Sequence, residues 1–256
     1  MASQDSIQKT LTVALLLCFV CSVIVSAAAV ILRPMQELNK DLDKKKNILL
    51  AAGLYQESVS VEEQFSAIQT RIVDLSTGLF VDVEDANAFD QRKAAKDPAT
   101  SQALDGSTDI AKISRRENQA VVYIVESDSA FDKIILPVHG YGLWSTLYGF
   151  VALESDLNTI AGLGFYDHGE TPGLGGEIDN PRWKAFWPGK QVYKDGAVAI
   201  EVIKGSVMSG SANASYQVDG LSGATLTSRG VSNLLSFWMG ENGFQTFLSN
   251  LKSGSA

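Results

Sequence analysis

Three stretches of the chain carry residue types that could do chemistry. The first is Asp219-Gly220-Leu221-Ser222-Gly223-Ala224-Thr225-Leu226-Thr227-Ser228. Its two glycines leave the backbone free to turn sharply or to approach a ligand closely. The hydroxyls of Ser222, Thr225 and Thr227 lead into a segment whose apolar spacing predicts a helix from about Thr227. Free N–H groups and the field of a helix start suit a phosphate. An ordinary N-cap, in which a Ser or Thr hydroxyl takes those N–H groups itself, uses the same residues. The second stretch is Gly169-Glu170-Thr171-Pro172-Gly173-Leu174-Gly175-Gly176-Glu177, a tight, shaped turn or a plain hairpin loop. Ile178 stands where a dinucleotide fingerprint needs its third glycine, and no Gly-Lys-Ser/Thr follows. The third is His139-Gly140-Tyr141-Gly142-Leu143-Trp144, where Trp144 supplies either an aromatic wall or a core residue on a strand.

Several chemistries are excluded or disfavoured. Two histidines, His139 and His168, do not make a metal cluster. Both cysteines, Cys18 and Cys21, lie in an apolar run, so the rest of the chain has no disulfide, no Cys zinc site and no iron–sulfur ligand set. Cys18 and Cys21 read as small packing residues, or as part of a cluster completed by a second subunit. The sequence Gly220-Leu221-Ser222-Gly223-Ala224 misses the final glycine of a hydrolase elbow. A formal net charge of −8 leaves no basic surplus for nucleic acid.

The run Asp219-x-x-Ser222-Gly223-Ala224-Thr225-x-Thr227 resembles the flavinylation motif of the family of covalent FMN-binding domains. In that family the last Thr of Ser-Gly-Ala-Thr carries FMN through a phosphoester, which implies Thr225 as the attachment residue, with Ser222, Gly223, Ala224 and Thr227 around it. The Glu170-to-Gly175 run resembles the wall that the family sets beside the isoalloxazine, implying Glu170, Thr171, Leu174 and Gly175 as flavin neighbours. The Gly-x-Gly-Leu-Trp run is also family-like and implies Trp144. Lys204, just before Gly205, is placed to meet a flavin carbonyl or phosphate. The resemblance spans essentially the whole chain, and is to the flavin subunits of the bacterial Na⁺-translocating NADH:quinone oxidoreductase, with the related Rnf complex as the neighbouring alternative. It implies one covalent FMN that relays single electrons within a membrane complex, during NADH-driven quinone reduction coupled to Na⁺ export. It also implies a separate flavin transferase, other subunits and inner-membrane lipid as partners, and no residue catalytic on NADH. The rival readings are a cofactor-free, membrane-anchored assembly module and, last, an anchored hydrolase using Ser222.

The elements that position these stretches begin with an anchor. Leu11 to Leu32 contains no charged side chain. Its length as a helix, roughly 33 Å, crosses a hydrocarbon core of about 30 Å. A cleavable signal is the competing reading, with Ala27-Ala28-Ala29 as its site, but the apolar run is longer than a usual signal. Lys9 alone precedes the span, while Arg33, Lys40, Lys44, Lys45 and Lys46 follow it. The positive-inside rule therefore keeps the C-terminal part in the cytoplasm, whereas the resemblance implies the periplasmic face.

A helical connector is expected over 33–58, with Ile48, Leu49 and Ala52 on one face and Gly53 as its stop. A capping box at Ser60-Val61-Glu62-Glu63 starts a helix whose stripe includes Phe65 and Ile68. Strands are expected at 71–75, 120–125, 131–138, 146–153, 159–166 and 198–203, punctuated by Ser127-Asp128 and Gly140. The polar stretch 87–114 holds Arg92, Lys93 and Lys96, read as a solvated helix face. Helices are expected at 180–186, begun by Pro181, and at 227–239 and 244–251. The sum is an α+β chain: tail 1–10, transmembrane helix 11–32, connector 33–58, and one FMN-binding domain over 59–256 with a largely antiparallel sheet and flanking helices.

Overall fold

The computed structural model describes residues 6–127, 130–208 and 210–256. Asp128 of the expected Ser127-Asp128 turn, and the first five residues of the expected tail, lie outside the described residues. The chain forms two compact units, Met1–Lys44 and Lys45–Ala256.

One helix, α1 (Ile7–Ala51), replaces the separate span and connector, and it continues through Pro34. Proline has no N–H to donate, so the helix forgoes one bond there. Arg33 and Glu37, four apart, meet at 3.0 Å across the proline. The helix is long and apolar enough to cross a membrane, with a window of mean hydropathy 2.9. Its side chains from Ile7 to Lys40 are exposed. An apolar surface of that kind is stable only against lipid or other protein.

The second unit is built on a six-stranded sheet. Its strands are β1 (Ile68–Asp74), β2 (Leu79–Val81), β5 (Gln119–Ser127), β6 (Ala130–Tyr141), β7 (Thr146–Glu154) and β8 (Ile160–Asp167). They lie in the order β2-β1-β5-β6-β7-β8, with every pairing antiparallel. Both faces are covered. Val122, Leu136, Val151 and Leu163 pack under α5 (Thr225–Trp238) and α6 (Gln245–Ser253), through Val231, Leu234, Leu235, Phe244 and Phe247. Val121, Tyr123, Ile135 and Phe150 pack on the other face with Ile48, Leu49, Ala51 and Ala52. Alternate residues of one strand serve opposite cores, so the strands read as unbroken apolar runs.

Some expectations need correction. Ile68 begins β1 and is not in the helical stripe; the capping-box helix α2 stops at Val61–Phe65, although Ser60 does accept the Glu63 N–H at 3.2 Å. Residues 198–203 are not one strand. β10 (Ala197–Val198) pairs with β9 (Tyr193–Lys194), and β11 (Glu201–Val202) runs parallel to β12 (Gln217–Val218). The polar stretch contains α3 (Gln91–Lys96) and β3 (Ser101–Ala103), which pairs with β4 (Arg115–Glu117). Arg92 is not on a solvated face: its guanidinium lies 3.5 Å from the centre of the Tyr148 ring and 2.7 Å from Asp167. Lys93 and Lys96 are exposed. α4 (Pro181–Lys184) begins at the expected proline, capped by the Asn180 side chain, which accepts the Arg182 N–H.

Candidate functional site

The antiparallel order of β6, β7 and β8 gathers the three stretches at one end of the sheet. The β6–β7 turn at Gly142–Ser145 opens there, and β8 ends there, Asp167 lying opposite Tyr148. The second glycine loop leaves β8 at that point. It is no hairpin loop, because it passes through a 3-10 turn at Gly175–Asp179 into α4. α5 begins over the same end. A Cβ on Gly230 would stand 2.6 Å from the Tyr141 carbonyl oxygen, so glycine lets the helix lie against the end of β6.

α5 starts at Thr225, two residues earlier than expected, with Ala224 in the cap position. No side chain caps it. Ala224 donates to the Leu221 carbonyl and Ser228 to the Ala224 carbonyl, but the N–H groups of Thr225, Leu226 and Thr227 have no acceptor among the described residues. Uncapped N–H groups at a helix start carry partial positive charge and favour an anion. Ser222, Gly223 and Thr225 are exposed, whereas Ala224 is buried. The two threonines of the motif therefore differ: Thr225 presents its side chain to solvent, and Thr227 is wholly buried.

The loop before the helix is held by its own neighbours. Ser228 accepts the Leu221 N–H at 3.1 Å. Asp219 accepts the Val207 N–H at 2.8 Å through Oδ1, and its carbonyl accepts the Trp183 indole N–H at 2.8 Å. Gly220 donates to the Gly205 carbonyl, so the 203–207 segment is tied beside the motif, with Lys204 exposed on it and unpaired among the described residues. Asp219 is thus a turn-holding residue. Trp183 and Ser145, whose hydroxyl accepts the Gly169 N–H at 2.5 Å, are site residues that the sequence does not single out. Their partners lie in distant or irregular segments that no local pattern links.

Apolar surface flanks the exposed hydroxyl. Trp144 is 65% exposed, in the β6–β7 turn rather than in a core, and Leu174 and Leu226 are about half exposed. Leu174 lies against Gly223, where an added Cβ would come within 3.0 Å of its Cδ2. Thr171 is also exposed, and Gly175 is buried. Beneath them, Glu170 is 5% exposed. Burial pushes its carboxyl up, but the Thr227 hydroxyl and the N–H groups of Trp144, Leu143 and Ser145 outweigh burial and hold the pKa below the usual carboxylate value. His168 accepts the Glu170 N–H on Nδ1 and donates from Nε2 to Asp179, whose carboxylate pulls the imidazole pKa upward.

These residues fit a phosphorylated flavin. The uncapped N–H groups suit its phosphate, the exposed Thr225 hydroxyl can bear an ester, and Trp144 and Leu174 offer apolar surface to a flat ring. Among the described residues no His/Cys/Asp/Glu group could hold a metal ion.

Comparison with known proteins agrees with this fit. The FMN-binding domain model matches residues 142–240, which contain all three stretches from Gly142 onward. The chain is 56% identical to NqrC of the Na(+)-translocating NADH-quinone reductase of Pseudomonas aeruginosa, over 100% of both chains. It is 51% identical to the same component of the Vibrio anguillarum reductase, over 99% of this chain and 98% of that one. Among solved structures, the crystal structure of Shewanella oneidensis NqrC superposes with a TM-score of 0.75 at 40% identity, covering 82% of this chain and 96% of that one. Residue chemistry, fold and full-length similarity converge: the chain belongs to the NqrC family of Na(+)-translocating NADH-quinone reductase subunits, and its second unit contains an FMN-binding domain.

Proposed function

We propose that the chain is an inner-membrane-anchored electron-transfer subunit of a Na⁺-translocating NADH-quinone reductase, with one FMN joined to Thr225 by a phosphoester. The observation that carries this reading is the exposed Thr225 hydroxyl at an uncapped helix start, with three N–H groups lacking acceptors among the described residues. Bound FMN supplies one-electron redox chemistry between other centres of the complex. The chain's residues supply attachment and position. The first-turn N–H groups of α5 and the Lys204 ammonium hold the phosphate. Ser222, Gly223 and Ala224 keep the approach to Thr225 open. Trp144, Thr171, Leu174 and Gly175 wall the ring, with Glu170 beneath them. A tether keeps the cofactor local where free FMN is scarce. Among the described residues no side-chain base hydrogen-bonds the Thr225 hydroxyl, and this reading assigns attachment to a separate flavin transferase.

One span encloses no ion path, so Na⁺ export coupled to quinone reduction belongs to the assembled complex with its other subunits and lipid. The flavin unit lies on the periplasmic side in this reading, against the count of basic residues that follow the span. The test is in-gel flavin fluorescence of denatured full-length chain, from a host that has the transferase. Wild type fluoresces and Thr225→Leu is dark. A dark wild type would leave the cofactor-free assembly module in its place.

A further inference from the structure

Glu170 joins three segments that are remote in sequence. Its Oε1 accepts the N–H groups of Leu143 at 2.9 Å, Trp144 at 2.9 Å and Ser145 at 3.4 Å, and its Oε2 accepts the Thr227 hydroxyl at 2.6 Å. A buried carboxylate is costly unless its oxygens are satisfied, and here both are. The surroundings are shaped to admit it. A Cβ on Gly142 would stand 2.6 Å from Oε1, and one on Gly175 would stand 2.5 Å from Oε2. Contacts that close are rejected for any side chain larger than hydrogen.

The position of Thr227 matters because it lies in the first turn of α5, two residues after Thr225. Holding the Thr227 hydroxyl fixes where that turn begins. Holding the 143–145 N–H groups fixes the turn that displays Trp144. Glu170 itself belongs to the loop that displays Leu174. The carboxylate is committed to these loops and nearly closed to solvent, so it has no free oxygen to act as a base.

We propose that Glu170 is a positioning residue of the flavin site: acting through Thr227 and the 143–145 turn, its carboxylate sets where the Thr225 hydroxyl stands relative to Trp144 and Leu174. This rests on the reading of Thr225 as the flavin attachment residue.

The experiment uses full-length chain in detergent, as wild type, Thr227→Val, Thr227→Ser and Glu170→Gln. Two quantities are read: amide hydrogen exchange at 143–145 in flavin-free chain, and the fraction carrying FMN by intact mass after brief co-expression with the flavin transferase. Thr227→Val keeps the side-chain shape and loses a hydrogen bond to a charged group, so exchange at 143–145 should rise roughly tenfold or more, and the FMN-loaded fraction should fall several-fold. Thr227→Ser should restore both to within about twofold of wild type, because its hydroxyl makes the same bond. Glu170→Gln keeps the shape and weakens every bond by removing the charge, so it should speed exchange at 143–145 and at Ser228, the first hydrogen-bonded amide of α5, together. It is the second variant if Thr227→Val does not fold.

Unchanged exchange at 143–145 in Thr227→Val would overturn the proposal, since Thr227 would then act only within its own helix. Faster exchange with unchanged FMN loading would also overturn it, because the clamp would not position the site. Wild-type chain that never gains FMN would defeat the covalent-flavin reading instead, and the exchange measurements would still decide whether the clamp exists.

Discussion

Thr225 and Thr227 have the same side chain and stand two residues apart, yet the fold gives them opposite tasks: one hydroxyl faces solvent, and the other is wholly buried against Glu170. The motif makes both legible in the sequence. It does not distinguish them, because the partner of Thr227 lies 57 positions away. A second buried carboxyl behaves differently. Glu117 has no exposed surface, and burial raises its pKa from 4.5 to about 7, against the lowering effects of a Gln91 hydrogen bond and nearby Arg116. A raised folded-state pKa means the native state holds the proton more tightly. Stability is then fully present below pH 4.5 and is lost as pH rises toward 7. Glu117→Gln should therefore match wild type near pH 4.5 and gain on the order of 3 kcal/mol above pH 7, read by urea unfolding at the two pH values. Equal differences at both would show that folding does not raise the Glu117 pKa. Nothing in the sequence signals this group, because its burial depends on α3 and β4, which lie in or beside a stretch that reads as polar with a solvated helix face.

At the scale of elements, α5 starts without a cap and without an acidic residue in its first turn. An unneutralised helix start gains from negative charge there. Leu226→Glu should stabilise flavin-free chain by about 0.5 kcal/mol at low salt, a gain that fades as salt rises. On flavin-bearing chain the gain should disappear, because the phosphate occupies the same field. A thermal melt of the four combinations checks this, and an equal gain in both forms would place the phosphate elsewhere. The strands of the main sheet are legible where both faces are buried, as in β5, β6 and β7, because burial on two sides demands unbroken Val, Ile and Tyr. The short pairs are not. β3, β9, β10 and β12 hold two or three residues each, too few to show a period, and their pairing is set by distant loops.

At the scale of the whole molecule, the boundary between units falls at Lys44/Lys45, inside a helix that the charge pattern of the sequence divides at 33. Apolar spacing announces Ile48, Leu49 and Ala52 as one face, yet only the fold reveals that they complete the core over Ile72, Tyr123 and Phe150. A chain beginning at Lys45 should leave the membrane fraction and keep a cooperative thermal transition. A chain beginning at residue 59 loses Ile48 and Leu49 from the core, so it should be destabilised by several kcal/mol. Equal melting of the two chains would remove the end of α1 from the domain's core. The central claim concerns Thr225, and it is tested most directly by weighing the protein. Full-length chain from a host with the flavin transferase, denatured and measured intact, should carry the mass of one FMN less one water, and fragmentation should place that mass on Thr225. Native mass from folded chain, or flavin mass on any other residue, would contradict the account.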